Sequence, residues 1–363
     1  MNDQPFWQRP PRVEKALLPE RVEVLVVGGG ITGVSLLRRL GEQGVKAALV
    51  ERTRLAFGAS GRNAGFLLEG TAANYAEAVR IHGRDRAREV WEATAENHRR
   101  LADALGGRAG YRRGGSRTLA ASAAEEAQLE ESAELMSEDG WPVTFTARSI
   151  LNPRDGEIFP AEAVGALAAD CPAGTIFEEV EVTDLDQLPI AADEVILATN
   201  AFTGQLLDGV PIAPVRAQML ATAPFGTRVA ERPTYSDHGF RYWRQLPTGE
   251  VLAGGYRDRA EAEEVGYELA TTATIQGHLD RHLAGMGVTA PVTHRWAGTM
   301  GFTPDALPLV GRLRPGVSIC AGYTGHGMAF AHLCARLLVD NLLGGPAPAK
   351  WLDPGRFGTP SLE

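Results

Sequence analysis

VEVLVVGGGITGVSLLRRLGEQGVKAALVE, residues 22–51, is the stretch on which the fold turns. VEVLVV, 22–27, is a β-branched run of the kind a buried parallel strand needs. It runs straight into Gly28-Gly29-Gly30 and the helix-like stretch ITGVSLLRRLGEQG, and VKAALVE at 45–51 reads as the next strand. Strand, turn, helix and strand in about thirty residues make a βαβ unit, for which a right-handed crossover is expected. Gly28, Gly30 and Gly33 complete a G-x-G-x-x-G pattern in the required context. Gly28 permits the tight turn, Gly30 lets backbone approach a pyrophosphate, and Gly33 lets helix and strand pack closely. The helix start adds unpaired N–H donors and partial positive charge. Glu51 ends the second strand, where a carboxylate can accept bonds from ribose hydroxyls. An unrelated glycine turn is the competing reading; the strand, helix and acid together argue against it. The pattern alone does not separate NAD from FAD.

Outward from this unit, 1–19 reads as an irregular arm and 71–105 as an amphipathic helical connection. YRRGGSRTLAAS, 111–122, has the look of a strand pair around Gly114-Gly115, and 124–140 that of a helix ending at Gly140. PAEAVGALAAD, 160–170, opens a helix on a proline, and DEVILATNAFTG, 193–204, is another apolar strand. From 211 to 294 apolar and polar residues alternate between turns such as Pro247-Thr248-Gly249, an antiparallel signature. VSICAGYTGHGMAFAHLCARLLVDNLL, 317–343, returns to strand, glycine turn and helix.

Hydrophobic residues are 44% and charged residues 22% of 363, which excludes disordered and fibrous classes. Lys+Arg 36 against Asp+Glu 45 gives a net charge of −9, so no nucleic-acid footprint is expected. No apolar run is long enough for a membrane span, and the N-terminus lacks a signal-peptide layout. Cys171, Cys320 and Cys334 lack metal-ligand spacing and read as buried free thiols. A cytoplasmic location is the expectation.

GASGRNAGF, 58–66, is a small-residue loop able to take a ring system against its backbone, with Ser60, Arg62 and Asn63 as donors. VVGGGITG, FGASGRNAG, LATNAFTG, WAGTMGFTPDALPLVG (296–311) and AGYTGHGMAFA (321–331) occur in a fixed order. On these segments the chain resembles the FAD-dependent oxidoreductase family of D-amino acid oxidase, glycine oxidase and monomeric sarcosine oxidase. It is most similar to the branch containing gamma-glutamylputrescine oxidoreductase, and RYWRQLPTGEVLAGG, 241–255, resembles that branch's substrate strand pair. The resemblance spans about Val22 to Leu343. It implies an α+β fold, with a Rossmann-like FAD-binding domain on a parallel sheet and a mostly antiparallel substrate domain. The first is expected from 20–70, 150–210 and 295–345, the second from 106–149 and 211–294, with 346–363 as a tail.

The resemblance also implies the cofactor contacts: Gly28, Gly30, Ile31, Thr32 and Gly33 at the pyrophosphate, Glu51 and Arg52 at the adenosine ribose, and Val182 at the adenine. Ser60, Gly61, Arg62, Asn63, Ala64 and Gly65 would cradle the flavin side, with Ala198, Thr199, Asn200 and Gly298 nearby. Gly322, Tyr323, Gly325, His326, Gly327 and Met328 would present N–H groups and a helix start to the flavin pyrimidine, where charge develops on reduction. The glycines before 328–343 suggest such a dipole site on their own.

Departures bear on the substrate. The arginine that clamps a substrate carboxylate in the glycine and D-amino acid oxidase branches is replaced by Met300, which cannot form a bidentate pair. The sarcosine oxidase lysines align with Ala329 and Ala253. Arg62, Arg244 and Arg295 are the arginines left to hold an acid. Gly298 stands at the covalent-flavin cysteine and the SGRNAG loop has no histidine, so noncovalent FAD is implied. Residues 183–193 are shorter than the meander relatives carry there.

Tyr242 and Arg244 share one strand face, either looking into a substrate pocket, as polar guide and anion contact, or solvated with Trp243 in the core. His326 is either close to the flavin chemistry or a structural turn residue. His82, His98 and His282 fall in polar helical stretches and read as surface residues. With Tyr242, Arg244, His326 and Met300 as the candidate catalytic set, the expected reaction is C–N oxidation of a small-molecule amine or amino acid, by hydride transfer to FAD, with hydrolysis of the imine. Oxygen or another acceptor would take the electrons. A dehydrogenase acting on an amine or 2-hydroxy acid, and a catalytically silent FAD-binding protein, are the rivals.

Overall fold

Arg21–Val27 forms a strand in the middle of a six-stranded sheet, which is why its last four residues are buried. In the computed structural model, which describes residues 4–7, 12 and 16–358, the order across that sheet is Leu309–Arg314, Val317–Ala321, Ala191–Leu197, Arg21–Val27, Ala47–Glu51, Ile176–Glu178. Neighbours run parallel except the first two, an antiparallel edge pair. Helix Ile31–Glu42 crosses over between the parallel strands Arg21–Val27 and Ala47–Glu51, burying Ile31, Val34, Leu36, Leu37 and Leu40. Each such side chain is worth about 1.5–3 kcal/mol of burial. This helix packs on Gly327–Leu342, which in turn packs on Arg84–Leu105. Asn97, fully buried, fastens the last two together: its amide donates to the Met328 carbonyl at 2.9 Å and its oxygen accepts the Leu333 N–H at 2.9 Å.

A second sheet of eight strands has the order Val292–Phe302, Ala213–Thr222, Val251–Gly255, Arg241–Gln245, Thr234–Ser236, Ser116–Leu119, Ser149–Asn152, Thr144–Thr146. It is antiparallel apart from Thr234–Ser236 beside Ser116–Leu119. Helix Ala273–Gly285 packs on the strands Ala213–Thr222 and Val251–Gly255. The mixed α/β architecture expected from the sequence is therefore present, a parallel sheet and a mostly antiparallel one.

The elements differ from the sequence reading in four places. Residues 111–122 are not a strand pair. Arg112 instead bridges to Glu157, and Ser116–Leu119 finds its partners at 149–152 and 234–236. The strand Val292–Phe302 pairs with Ala213–Thr222 along its whole length, so 295–302 are hydrogen-bonded into the antiparallel sheet. His98 is not a surface residue: it is 3% exposed and its Nε2 lies 3.1 Å from the Tyr111 hydroxyl. His282 is likewise half-buried, 3.1 Å from the Tyr256 hydroxyl and edge-on to Trp243. Between Val182 and Ile190 there is no strand. Cys320 and Cys334 are buried and Cys171 is half-buried, all with free thiols.

Candidate active site

The turn after Arg21–Val27 is built from main-chain bonds. Gly28 donates to Val50 O at 2.9 Å, and Ala198 donates to Val27 O at 2.9 Å. Gly28 has φ +114°, and a Cβ there would stand 2.8 Å from the Ala198 carbonyl oxygen, so only glycine fits. At Gly33 a Cβ would stand 1.8 Å from the Gly28 oxygen, the close helix–strand approach expected of that position. Val34 is the first N–H to reach a carbonyl within the helix, that of Gly30 at 3.1 Å. Ile31 N–H goes to Ser60 Oγ at 3.0 Å, which leaves the N–H groups of Thr32 and Gly33 without a helical acceptor. Glu51 Oε2 accepts from Gly29 N–H at 2.7 Å and Oε1 from Thr53 N–H at 3.0 Å. A carboxylate has lone pairs to spare beyond these.

From this turn a single cavity of about 490 Å³ extends to the antiparallel sheet. That size is typical of cofactor and ligand sites. Its walls include Gly28, Gly30, Ile31, Thr32, Glu51, Arg52, Ser60, Arg62, Asn63, Ala64 and Val182. Ala198, Thr199, Asn200, Gly298, Met300, Tyr242, Tyr323, Gly325, His326, Gly327 and Met328 complete the sequence-derived set on the wall. The residues around this cavity suit a dinucleotide with a flat ring system. Gly30 offers bare backbone against Ser60, and Thr299 Oγ1 on the wall is buried without a partner.

Five positions of the expected cofactor and catalytic set lie off that wall. Gly33, Gly61, Gly65 and Gly322 stand behind it, with Gly322 N–H bound to Asn200 Oδ1 at 3.0 Å. Arg244 is the larger correction. Its side chain is 1% exposed and donates from Nη1 to the carbonyls of Gly65 at 2.9 Å and Ile158 at 3.1 Å, so it cannot serve as an anion contact in the cavity. It shares a face with Tyr242 as expected, but that face passes from cavity to packed interface between the two residues. Arg62 and Asn63 line the cavity with their side-chain donors already committed. Arg62 reaches Phe57 O at 2.8 Å and Ala297 O at 2.9 Å, and Asn63 Nδ2 reaches Ala59 O at 3.0 Å. Trp296 Nε1 returns a bond to Arg62 O at 2.9 Å, which fixes the 58–66 loop to the antiparallel sheet.

At the sheet end of the cavity burial holds His326, Tyr235 and Tyr242 neutral. Burial lowers the His326 pKa to about 4, and the ring stacks on Tyr235 at 6.2 Å. His326 also caps helix Gly327–Leu342, where a cation is disfavoured. Burial raises the phenols of Tyr235 and Tyr242. Thr32 Oγ1 donates to Tyr323 Oη at 3.1 Å and so joins the starts of the two helices that face the cavity.

Several wall residues escaped the sequence reading. Glu69 and Asp155 sit on it, Glu69 N–H donating to Asp155 Oδ1 at 2.8 Å and Ser116 Oγ to Oδ2 at 2.5 Å. Burial, reinforced by Glu69, raises Asp155 to about 7. Arg257, in the turn after Val251–Gly255, is also on the wall. Nothing in composition or spacing marks these residues, because their chain segments meet only in the fold. Among the described residues no cluster of His, Cys, Asp or Glu is arranged to hold a metal ion. Nor is any described helix long and apolar enough to cross a membrane.

Residues 23–341 match the family described as FAD dependent oxidoreductase. The chain belongs to that family. It is an FAD-dependent oxidoreductase, and FAD is its cofactor. Among proteins of similar sequence is gamma-glutamylputrescine oxidoreductase of Escherichia coli, 26% identical, the match covering 89% of this chain and 84% of that one. The tRNA 5-methylaminomethyl-2-thiouridine biosynthesis bifunctional protein MnmC of Maricaulis maris is 29% identical over 92% of this chain, which spans only 55% of that longer protein. Glycine oxidase from Geobacillus kaustophilus shares the fold of this oxidoreductase with a TM-score of 0.75 at 19% identity, over 93% of this chain and 99% of that one.

Proposed function

We propose that this oxidoreductase oxidises a C–N bond of an amine or amino acid. The observation that carries the reading is the single cavity joining the glycine turn at Gly28–Gly30 to a substrate end walled by Tyr242, Met300 and His326. FAD, when bound, supplies the acceptor for a hydride from the carbon next to nitrogen, and water then hydrolyses the imine. The chain's part is to bind and orient. The N–H group of Thr32 at the helix start, with Ser60 holding Ile31, would take the pyrophosphate, and Gly33 behind it lets the helix come close. Glu51 would take ribose hydroxyls, beside Arg52, and the Val182 backbone the adenine. The loop Ser60–Gly65, the turn Ala198–Asn200 and Gly298 would lie along the flavin, and the first turn of Gly327–Leu342 would face its pyrimidine end. The attachment is noncovalent.

At the substrate end, neutral His326 and the thioether of Met300 place no cation beside the reacting nitrogen. An amine can then lie there as the free base, and no strong protein base is required. Tyr242, its phenol kept protonated by burial, offers an O–H as polar guide. Oxygen or a different acceptor would take the electrons, and a cytoplasmic location belongs to the same reading. The relatives' names, gamma-glutamylputrescine oxidoreductase and glycine oxidase, support the substrate class.

The test is anaerobic mixing of the FAD-loaded chain with a panel of amines, amino acids and 2-hydroxy acids while the visible flavin band is followed. Bleaching by an amine or amino acid is the expected result. Prompt recovery in air identifies an oxidase, and its absence a dehydrogenase. Bleaching by hydroxy acids alone, or by nothing, overturns the reading.

A further inference from the structure

The chain leaves strand Val251–Gly255 through Gly255 and Tyr256, at φ +117° and +66°, and this reversal brings the next side chain, Arg257, onto the cavity wall. Its guanidinium lies 4.6 Å from the Phe240 ring centroid and 5.0 Å from that of Phe302. Two aromatic rings hold a planar cation in this way by cation–π attraction while leaving its N–H edge unoccupied.

No hydrogen bond or ion pair engages Arg257 among the described residues. Two carboxylates act on Arg257 by charge, Glu261 and Asp258. Glu261 makes no ion pair with it, and Asp258 is committed to Arg241 at 2.5 Å and to Arg259 at 3.1 Å. The other arginines open to the role are all spent. Arg62 and Arg244 bind main-chain carbonyls, and Arg295 binds Gln276 Oε1 at 2.7 Å and Asp280 at 2.6 Å. Phe302 is two residues beyond Met300 on one strand, so the guanidinium it supports stands over the sheet face that carries Met300.

We propose that Arg257 is the anion receptor of the substrate end, pairing with a carboxylate carried by the amine. The proposal deepens the C–N oxidation reading and rests on it for the nature of the substrate. It narrows the substrate to amines that bear an acid group, amino acids and their N-substituted forms, as against unsubstituted polyamines. A guanidinium fork matches a carboxylate with two parallel N–H bonds. Glu261 and Asp258, whose charges act on Arg257, disfavour a doubly charged phosphate more than a singly charged carboxylate.

The experiment titrates the full FAD-loaded chain with acetate, benzoate and inorganic phosphate, none of which is oxidisable, and reads the shift of the flavin band. The chain as it stands is compared with Arg257→Met, Arg257→Lys and, as a control, Arg259→Met. The expected results are carboxylate binding tighter than phosphate, about 10- to 100-fold weaker in Arg257→Met, partly retained in Arg257→Lys and unchanged in Arg259→Met. Anaerobic bleaching by an amino acid should need correspondingly more substrate in Arg257→Met, while bleaching by its carboxamide should not change. If Arg257→Met does not retain FAD, Arg257→Lys carries the comparison.

A flavin band indifferent to carboxylates, or carboxylate binding unaltered in both Arg257 variants, overturns the proposal. So does phosphate binding tighter than carboxylate. The two readings fail separately. Bleaching by amines with no Arg257 effect removes only the anion receptor. Arg257-dependent carboxylate binding without bleaching by any amine or amino acid removes only the C–N oxidation reading.

Discussion

Replacing Arg244 with methionine should cost folding stability and leave flavin reduction nearly untouched. The guanidinium donates to Gly65 O and Ile158 O, and its Nε lies 3.6 Å from Glu157 Oε2. Burial lowers its pKa to about 10 while Glu157 pulls it back up, so it stays charged at neutral pH. The substitution strands the Ile158 carbonyl. The Gly65 oxygen keeps a second donor, Ile158 N–H at 2.8 Å, and Glu157 keeps Arg112, whose Nε is 2.8 Å away. Two bonds to a charged donor at about 1.5–3 kcal/mol each, part of them offset by a methionine that packs well, give a loss of about 3–5 kcal/mol. An unfolding entropy of about 2.1 cal/mol/K per residue turns that into a fall of about 4–7 °C in Tm for a chain of this length. The assay is a thermal melt at fixed FAD, paired with anaerobic flavin reduction expressed per bound FAD, which should stay within about threefold. An unchanged Tm with a large loss of substrate affinity would refute the reasoning and return Arg244 to the substrate.

Further outcomes follow from individual contacts. Gly30→Ala puts a Cβ 2.9 Å from Ser60 Oγ, which cannot retreat without releasing Ile31 N–H. FAD should bind at least about tenfold more weakly while apoprotein stability changes by under about 1 kcal/mol, since φ −82° at Gly30 suits alanine. An equilibrium dialysis of FAD checks this. Asp155, raised to about 7 from an ordinary 3.8, binds its proton more tightly folded than unfolded. Its contribution is fully present below pH 4 and is lost as pH climbs through 7. Denaturation from pH 4.5 to 8 should therefore show Asp155→Asn gaining on the parent by up to about 1.4 kcal/mol per pH unit, and parallel curves would count against it. Trp7 donates to Asn63 O at 2.7 Å and stacks near Phe159 and Arg244. Trp7→Ala should cost about 3–5 kcal/mol and hasten FAD release, read by the recovery of free-flavin fluorescence.

Much of the cofactor end was legible because it is local. The chain from Val22 to Glu51 carries strand, turn, helix and acid in one stretch, and each residue's task there is set by neighbours a few positions away. Gly28 and Gly33 meet the same close contacts that the motif implies, and Pro160 opens its helix as its fixed φ allows. The hairpin 241–245 with 251–255 was readable for the same reason, a short turn between alternating strands.

The substrate end was not legible, because it is assembled from segments far apart in sequence. Strand alternation places Tyr242 and Arg244 on one face but cannot say that Gly65 and Ile158 cover the second and leave the first open. Arg257 has no pattern of its own. The role proposed for it depends on Phe240, from the neighbouring strand's approach, and Phe302, from a strand two places across the sheet. The hairpin expected at Gly114-Gly115 failed in the same way, since a strand's partner is chosen by burial and pairing at long range. The nucleotide-type turn and the alternation of each strand are properties of neighbouring residues and can be read along the chain, whereas the choice of FAD over NAD shows only in motifs spread from Val22 to Leu343. Which arginine is walled in and which lines the cavity follows from the packing of distant segments, because a charge takes its role from whatever the rest of the chain packs against it.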